Sequence, residues 1–106
     1  MPDEVKDAFG FSLDRAQVGK HPAGARRYGE GLPSDILKLI ADERGETYRC
    51  AYVVAFEGVV YVLDVFQKKS TSGKATPMRD RSRVKHRYHL ARAHYELNKH
   101  RYLPDV

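Results

Sequence analysis

A run of alternating residues on both sides of Glu57-Gly58 constrains the fold of this chain more than any other feature. Residues 47–56 and 59–67 are rich in valine, tyrosine and alanine, as strands are, and Glu57-Gly58 between them is a two-residue hairpin signal. With this turn, Phe56 lies opposite Val59, and the register of the hairpin is fixed outward from that pair. The sequence therefore predicts an antiparallel pair of strands.

This register divides the hairpin residues between two faces. One face is apolar and is predicted to be a core face; it carries Tyr48, Cys50, Tyr52, Val54, Phe56, Val59, Tyr61, Leu63 and Val65. The opposite face is apolar near the turn and charged at its far end, where Arg49 lies opposite Phe66 and diagonal to Asp64 and Lys68. An ordinary exposed ion pair and a cationic pocket of phosphate size both fit that end, and Phe66 offers a surface on which a base could stack.

The residues before the hairpin predict a helix, a loop and one more strand. Apolar residues at three- and four-residue steps predict an amphipathic helix over residues 2–17, with Gly19 as its stop. Residues 18–34 are rich in glycine, proline and basic residues and are predicted to be a loop. Residues 36–41 are predicted to be a short strand, followed by a turn over residues 42–45.

After the hairpin, a long helix is predicted. Thr76-Pro77 offers an N-cap followed by proline at the first helical position, and the helix is predicted to end near Asn98. Its apolar seam is Val84, Tyr88, Ala91 and Tyr95, and its remaining surface is nearly all basic. The predicted fold class is α+β, with an N-terminal helix, a small antiparallel meander and a long basic C-terminal helix in a single domain over residues 1–106.

Positive charge is concentrated in the last third of the chain. The formal net charge is +5, and residues 66–101 carry 11 lysines and arginines against two acids, whereas residues 1–65 carry 8 against 11. Such a one-sided field attracts polyanions, so nucleic acid is the leading class of partner. An acidic protein would satisfy the same charges, and a solvated basic helix face is the plain structural alternative.

Cysteine content and hydropathy indicate the compartment. Cys50 is the only cysteine, so it has no partner for an internal disulfide, and no apolar run approaches the length of a signal sequence or a membrane span. The expectation is a protein of the reducing cytoplasm with no membrane association.

Residues 47–54 and 60–70 resemble the signature of the phage-derived HigB-like branch of the RelE/ParE toxin superfamily. In that branch a TYR-containing strand precedes a VYVLHxFQKKS-like strand and a Gly-Thr-Pro-type linker, and here the corresponding residues read VYVLDVFQKKS and then Ser72-Gly73-Lys74-Ala75-Thr76-Pro77. Residues 2–22 are similar to the family's first helix. Two departures follow: the sheet is expected to lack the family's first strand unless the chain begins further upstream, and Asp64 replaces a common histidine.

The resemblance implies a toxin of a type II toxin–antitoxin system that cleaves mRNA at the ribosome. Relatives make the RNA's own 2′-hydroxyl attack the adjacent phosphate, without a metal or cofactor. By position, Arg49 would clamp the phosphate, and Lys68 and Lys69 would stabilise charge and transfer protons. The residues expected to bind RNA are Phe66, Arg79, Arg81, Arg83, Lys85, His86, Arg87, His89 and Arg92.

The histidines of the last helix leave more than one interpretation open. His86 and His89 lie one turn apart and could transfer protons, contact RNA or bind a metal. Because no cysteine and no convincing third carboxylate ligand accompanies them, no metal site is predicted.

Two other functions compete with mRNA cleavage. A ParE-like, non-enzymatic inhibitor of DNA gyrase belongs to the same superfamily, and an inactive RNA-binding remnant would fit the missing strand and Asp64. The expected partners are mRNA, the ribosome and, through the resemblance, a small helix-turn-helix antitoxin. The oligomeric state of the free toxin is not predicted.

Overall fold

The computed structural model describes residues 1–20, 22–68 and 76–103. In chain order the elements are helix α1 (Asp3–Gln17), strands β1 (Arg26–Arg27), β2 (Ile36–Glu43), β3 (Glu46–Val53) and β4 (Tyr61–Lys68), helix α2 (Met78–Asn98) and a 3-10 turn (Lys99–Arg101). The predicted α+β class, with a helix at each end of an antiparallel sheet, is confirmed.

Helix α1 has the bounds that its sequence predicts. Asp3 and Glu4 lie in the first turn, where carboxylates interact favourably with the positive end of the helix dipole. At the other end the chain leaves the helix through Gly19, whose φ of 83° is left-handed and suits glycine.

The sheet has four antiparallel strands in chain order, β1-β2-β3-β4. Strand β1 was predicted to be loop; its two residues pair with Leu37 and Lys38 of β2. The β2–β3 turn is tighter than predicted, because only Arg44 and Gly45 lie between the strands, both with positive φ.

The register of β3 with β4 agrees with the prediction over half its length. Thr47 to Ala51 pair as predicted, with Arg49 opposite Phe66. The register then shifts by one residue between Ala51 and Tyr52, where β4 has an additional residue, Leu63. The predicted Glu57-Gly58 turn is present, since the Val59 N–H donates to the Phe56 carbonyl oxygen at 3.3 Å. The strands, however, do not extend to this turn and end at the Val53–Tyr61 pair.

Helices cover both faces of the sheet. On one face, Val5, Phe9 and Ala16 of α1 pack in a cluster with sheet residues Leu39, Tyr48, Cys50 and Tyr52. On the other face, Val84, Tyr88 and Ala91 of α2 pack in a cluster with sheet residues Ile36, Ala51, Val53 and Leu63. The prediction of one core face is therefore wrong in part. Alternate residues of β3 are buried on opposite sides, and Phe56, Tyr61 and Leu63, predicted on the face of Tyr48, pack on the α2 side.

Helix α2 buries the predicted seam, since Val84, Tyr88, Ala91 and Tyr95 are all buried. Its start differs from the prediction by one residue: Pro77 is the N-cap, and the Thr76 hydroxyl bonds to groups outside the helix. Across the described ranges, none of the helices is both long and apolar enough for a membrane span.

Candidate functional site

Four basic side chains, one from each strand, form a diagonal row across the α2 face of the sheet. These are Arg26, Lys38, Arg49 and Lys68, called the cation row below. Arg26 lies directly opposite Lys38, and directly opposite residues share a face. Ile40 lies opposite Arg49, which makes Lys38 and Arg49 diagonal neighbours. Thr47 lies opposite Lys68, which makes Arg49 and Lys68 diagonal neighbours as well.

The cations of the row are close enough to affect one another. Burial lowers the pKa of the Lys38 ammonium, and the positive charges of Arg49, Arg26 and Lys68 lower it further, against an opposing effect of Glu30. The Lys38 ammonium also lies 5.1 Å from the centre of the Tyr28 ring. This end of the sheet therefore carries a concentrated positive field.

Arg49 is buried rather than solvent-facing, with only 4% of its surface exposed. Its Nη1 donates to the Thr76 hydroxyl and lies 3.4 Å from Oε2 of Glu30. The carboxylate that it contacts is that of Glu30, from the loop before β2. The exposed ion pair with Asp64, one of the two interpretations left open for this end of the hairpin, is not what the structure shows for Arg49.

Thr76 holds the Glu30 carboxylate from the start of α2. The Thr76 hydroxyl donates to Oε2 of Glu30 at 2.8 Å, and the Thr76 backbone N–H donates to Oε1. The Tyr28 hydroxyl lies 2.8 Å from the Thr76 hydroxyl and fixes it from the other side. Tyr28, Glu30, Arg49 and Thr76 together form what we call the Glu30 cluster.

The Glu30 cluster keeps its carboxylate ionised. Burial alone would raise the pKa of Glu30, but the hydrogen bonds from Thr76 and the positive charge of Arg49 hold that pKa below its ordinary value. The carboxylate therefore carries a full negative charge at neutral pH and compensates the buried Arg49 guanidinium.

The loop that presents Glu30 has an unusual backbone. Gly29, Glu30 and Gly31 have φ values of 73°, 55° and 78°, three left-handed residues in succession. Glycine adopts this region freely, but a glutamate there is uncommon and is retained only when its surroundings hold it. The three contacts of the Glu30 carboxylate with Arg49 and Thr76 supply that constraint.

A shallow pocket of about 200 Å³ lies outside the Glu30 cluster, between the loop and the first turns of α2. It is lined by Glu30, Gly31, Leu32, Met78, Arg81, Ser82 and Lys85. Arg81 Nη1 also lies 3.5 Å from the Glu30 carbonyl oxygen. The pocket thus has one partly exposed carboxylate on its wall and two cations beside it.

Of the three predicted catalytic residues, the structure describes two. Arg49 and Lys68 lie in the cation row as diagonal neighbours, as their register predicts. Lys69 lies outside the described residues.

Asp64 lies opposite Ala51 and therefore diagonal to Arg49, as the register predicts, but its carboxylate is bound by arginines of α2. Its carboxylate accepts hydrogen bonds from Arg83 Nε at 2.6 Å and Arg87 Nη1 at 2.8 Å. The reason is that α2 covers this face of the sheet and brings its own arginines to the carboxylate.

The predicted RNA-binding residues divide into two groups. Arg79, Lys85, His86, His89 and Arg92 are exposed on α2. The others have structural contacts: Arg83 and Arg87 bind acidic side chains, Arg83 lies 5.5 Å from the centre of the Phe66 ring, and Arg81 approaches Glu30. Within residues 1–20, 22–68 and 76–103, no three His, Cys, Asp or Glu side chains are grouped as a metal site requires.

Four residues of the site, Glu30, Thr76, Lys38 and Arg26, were not predicted. Arg26 follows only from the pairing of β1 with β2, and Lys38 from the register of β2 with β3. The one sequence signal for Glu30 is that a charged residue stands between two glycines in a loop. Thr76 was interpreted as the N-cap of α2, and that interpretation gave no reason to expect its contacts with Tyr28 and Glu30.

A family comparison covers most of the chain. The sequence model of the phage-derived Gp49-like proteins (DUF891) matches residues 1–89. Neither a curated protein nor a solved structure gives a match. The family match fits the expectation of a phage-derived toxin.

Proposed function

This chain belongs to the phage-derived Gp49-like family, and from that premise we propose that it is the toxin of a type II toxin–antitoxin system, of the HigB-like type within the RelE superfamily. Its proposed activity is the cleavage of messenger RNA on ribosomes in the cytoplasm. The observation that carries the proposal is the cation row, which lies on the same face of the sheet as the basic helix α2.

The proposed reaction is a transesterification within the RNA. The 2′-hydroxyl of one nucleotide loses its proton and attacks the adjacent phosphorus, the bond from phosphorus to the next nucleotide's 5′-oxygen breaks, and that oxygen gains a proton. The products are a 2′,3′-cyclic phosphate and a free 5′-hydroxyl. The protein has to align the nucleophile, offset charge on the phosphate and move two protons.

The cation row supplies the charge for this reaction. Lys68, half-buried at the end of β4, is proposed to stabilise the phosphate and to transfer protons, together with Lys69 outside the described residues. Arg49 is proposed to bind the phosphate through its fork of donors, although Glu30 now occupies part of that fork.

The exposed basic residues of α2 are proposed to bind the RNA backbone. Arg79, Lys85, His86, His89 and Arg92 supply charge and hydrogen-bond donors. Phe66, Arg81, Arg83 and Arg87 lie beneath or beside them and hold this surface in place. The proposed antitoxin, a small helix-turn-helix protein, would bind the same surface through acidic segments.

Primer extension on mRNA from a reconstituted translation reaction tests the proposed function. The proteins compared are the wild type, Lys68→Ala and the matched control Lys6→Ala, which removes an exposed lysine from α1. We expect cuts that require ribosomes, persist in Lys6→Ala and fall by roughly 10²-fold in Lys68→Ala, the usual scale for one charge-stabilising donor.

Intact transcripts with a folded wild-type protein would overturn the proposal. A gyrase supercoiling assay would then separate the two alternatives. Inhibition of supercoiling would identify a ParE-like inhibitor, and its absence an inactive RNA-binding protein.

A further inference from the structure

We propose that the Glu30 carboxylate occupies a built anion-binding site, and that a phosphodiester of RNA replaces it there. The site consists of Arg49 Nη1, the Thr76 backbone N–H and the Thr76 hydroxyl, all of which now contact Glu30. The identity of the ligand as RNA rests on the proposed function; the anion site itself does not.

The donors match a phosphate as well as they match a carboxylate. A guanidinium, a backbone N–H and a hydroxyl directed at two oxygens of one anion are the groups that bind phosphate in proteins. A phosphodiester presents two non-bridging oxygens that share one negative charge, as the Glu30 carboxylate does. The internal carboxylate therefore stands where a ligand phosphate would bind.

The donors are fixed independently of Glu30. Arg49 extends from the central strand β3 and is 4% exposed, and Thr76 is 1% exposed and is bound by the Tyr28 hydroxyl. If the carboxylate left, the buried Arg49 would lose the negative charge that Glu30 supplies, which is unfavourable for a buried cation. The cluster thus favours the entry of another anion over an empty site.

Glu30, in contrast, is placed to move. Its side chain is 18% exposed and it lines the shallow pocket beside Arg81 and Lys85. Gly29 and Gly31 on either side of it adopt left-handed φ values and tolerate a change in backbone direction. A rotation of Glu30 out of the cluster would move its carboxylate into the pocket, where two cations can receive it.

The surrounding charge favours a polyanion as the replacing ligand. Arg26, Lys38 and Lys68 of the cation row flank Arg49, and the exposed cations of α2 lie beside the pocket. A single carboxylate neutralises only part of this field, whereas the phosphates on either side of a bound diester would contact the rest.

Thermal unfolding in inorganic phosphate tests the anion site without any cleavage assay. The proteins are the wild type, Glu30→Ala, Glu30→Gln, the control Glu57→Ala at an exposed carboxylate of the β3–β4 connection, and Glu30→Ala/Thr76→Val. Phosphate is compared with chloride at matched ionic strength, so that only specific binding raises the midpoint.

We expect phosphate to raise the midpoint of Glu30→Ala by several degrees, corresponding to at least about a tenfold tighter apparent affinity than the wild type shows. Glu30→Gln should show a smaller gain, Glu57→Ala should behave as the wild type, and the added Thr76→Val change should remove the gain. Equal responses of the wild type and both Glu30 variants would overturn the proposal. If Glu30→Ala does not fold in chloride, the comparison of Glu30→Gln with the wild type decides it.

A second probe identifies the class of anion. A DNA dinucleotide with one phosphodiester lacks the 2′-hydroxyl and is not cleaved by the proposed reaction. Binding of this dinucleotide to Glu30→Ala, in competition with phosphate, supports a diester site; binding of phosphate alone would overturn the RNA ligand.

The two proposals fail separately. Ribosome-dependent cuts by the wild type with no gain in phosphate binding on Glu30→Ala would leave the nuclease proposal and remove the anion site. A gain in phosphate binding with intact transcripts would leave the anion site and remove the nuclease.

Discussion

At the scale of single residues, Arg49 and Glu30 decide the character of the site. Arg49 lies on the central strand β3, and Glu30 reaches it from a loop 19 residues earlier in the chain. A buried ion pair adds little stability over an apolar pair, but loss of one partner is costly because the other charge remains buried. The pair is therefore better explained by binding than by stability.

Low pH is expected to reduce the free energy of unfolding, because it protonates the Glu30 carboxylate. Its folded pKa lies below the ordinary 4.5 of a glutamate, so its ionised form contributes stability that is complete above that pH and is lost as the pH falls through the folded pKa. The free energy of unfolding, measured by urea titration from about pH 6 to about pH 3, should fall more for the wild type than for Glu30→Gln. Parallel curves would mean that the carboxylate gains nothing from its contacts.

Cys50 is expected to be unreactive in the folded protein. It is fully buried, and burial, reinforced by the charge of Asp64, raises the pKa of its thiol to about 12. A thiol-labelling reagent at neutral pH should modify the native protein more than about 10²-fold more slowly than the protein in urea, because reaction requires opening of the fold. Since Cys50 is the only cysteine, the labelling rate reports its site alone. Equal rates would contradict the buried position.

At the scale of elements, the β3–β4 hairpin marks where sequence reasoning succeeds and where it fails. Its charged end was predicted correctly by counting outward from the Glu57-Gly58 turn, since the pairs from Thr47 to Ala51 keep that offset. The register predicted for its other end was wrong by one residue. Strand β3 is apolar on both faces there, so no alternation of polar and apolar residues reveals the additional Leu63 in β4. Strand β1 was missed because two arginines carry no periodic pattern.

The site was predictable only in the part that the hairpin determines. The positions of Arg49 and Lys68 follow from strand register. In the Glu30 cluster, by contrast, Thr76 at the start of α2 contacts loop residues that precede it by 46 and 48 positions. Such contacts depend on how α2 packs on the sheet, and no local sequence pattern predicts that packing.

Two glycines are expected to respond oppositely to alanine. Gly10 lies within α1 with open space around it, so Gly10→Ala should raise the free energy of unfolding by about 0.5–1 kcal/mol. Gly58 has a φ of 87°, and a Cβ there would lie 2.2 Å from the Tyr102 carbonyl oxygen, so Gly58→Ala should lower it by about 1–3 kcal/mol. Urea titration of both variants checks the pair; a neutral Gly58→Ala would show that residues 99–103 are not held against the hairpin.

At the scale of the whole molecule, the two helices give the sheet different surroundings. Helix α1 carries both acidic and basic residues, whereas the exposed charged residues of α2 are nearly all cations, and the cation row lies on the α2 side. The excess of positive charge therefore lies mainly on the α2 side of the protein. A polyanion would approach from that side.

RNA binding should therefore depend on salt mainly through the cations on the α2 side of the protein. For single-stranded RNA the affinity falls with a log–log slope of about 0.7 for each phosphate neutralised, so the triple variant Arg79→Ala/Lys85→Ala/Arg92→Ala should reduce that slope by about 2. The control Lys6→Ala/Arg15→Ala/Lys20→Ala removes three exposed cations from α1 and the residues after it. Fluorescence anisotropy over a salt series measures both, and equal losses would contradict a one-sided surface.

The order of the strands also determines when each part of the molecule can form. Because β1, β2, β3 and β4 pair strictly with their neighbours in the chain, the sheet can assemble by closing short loops, and such topologies fold on the order of milliseconds. We expect the Glu30 cluster to close last, because its contacts join residues far apart in the chain and require α2 to pack on the sheet. Substitutions in it should accelerate unfolding and leave the folding rate nearly unchanged, so the same contacts that hold the carboxylate also set how long each molecule stays folded.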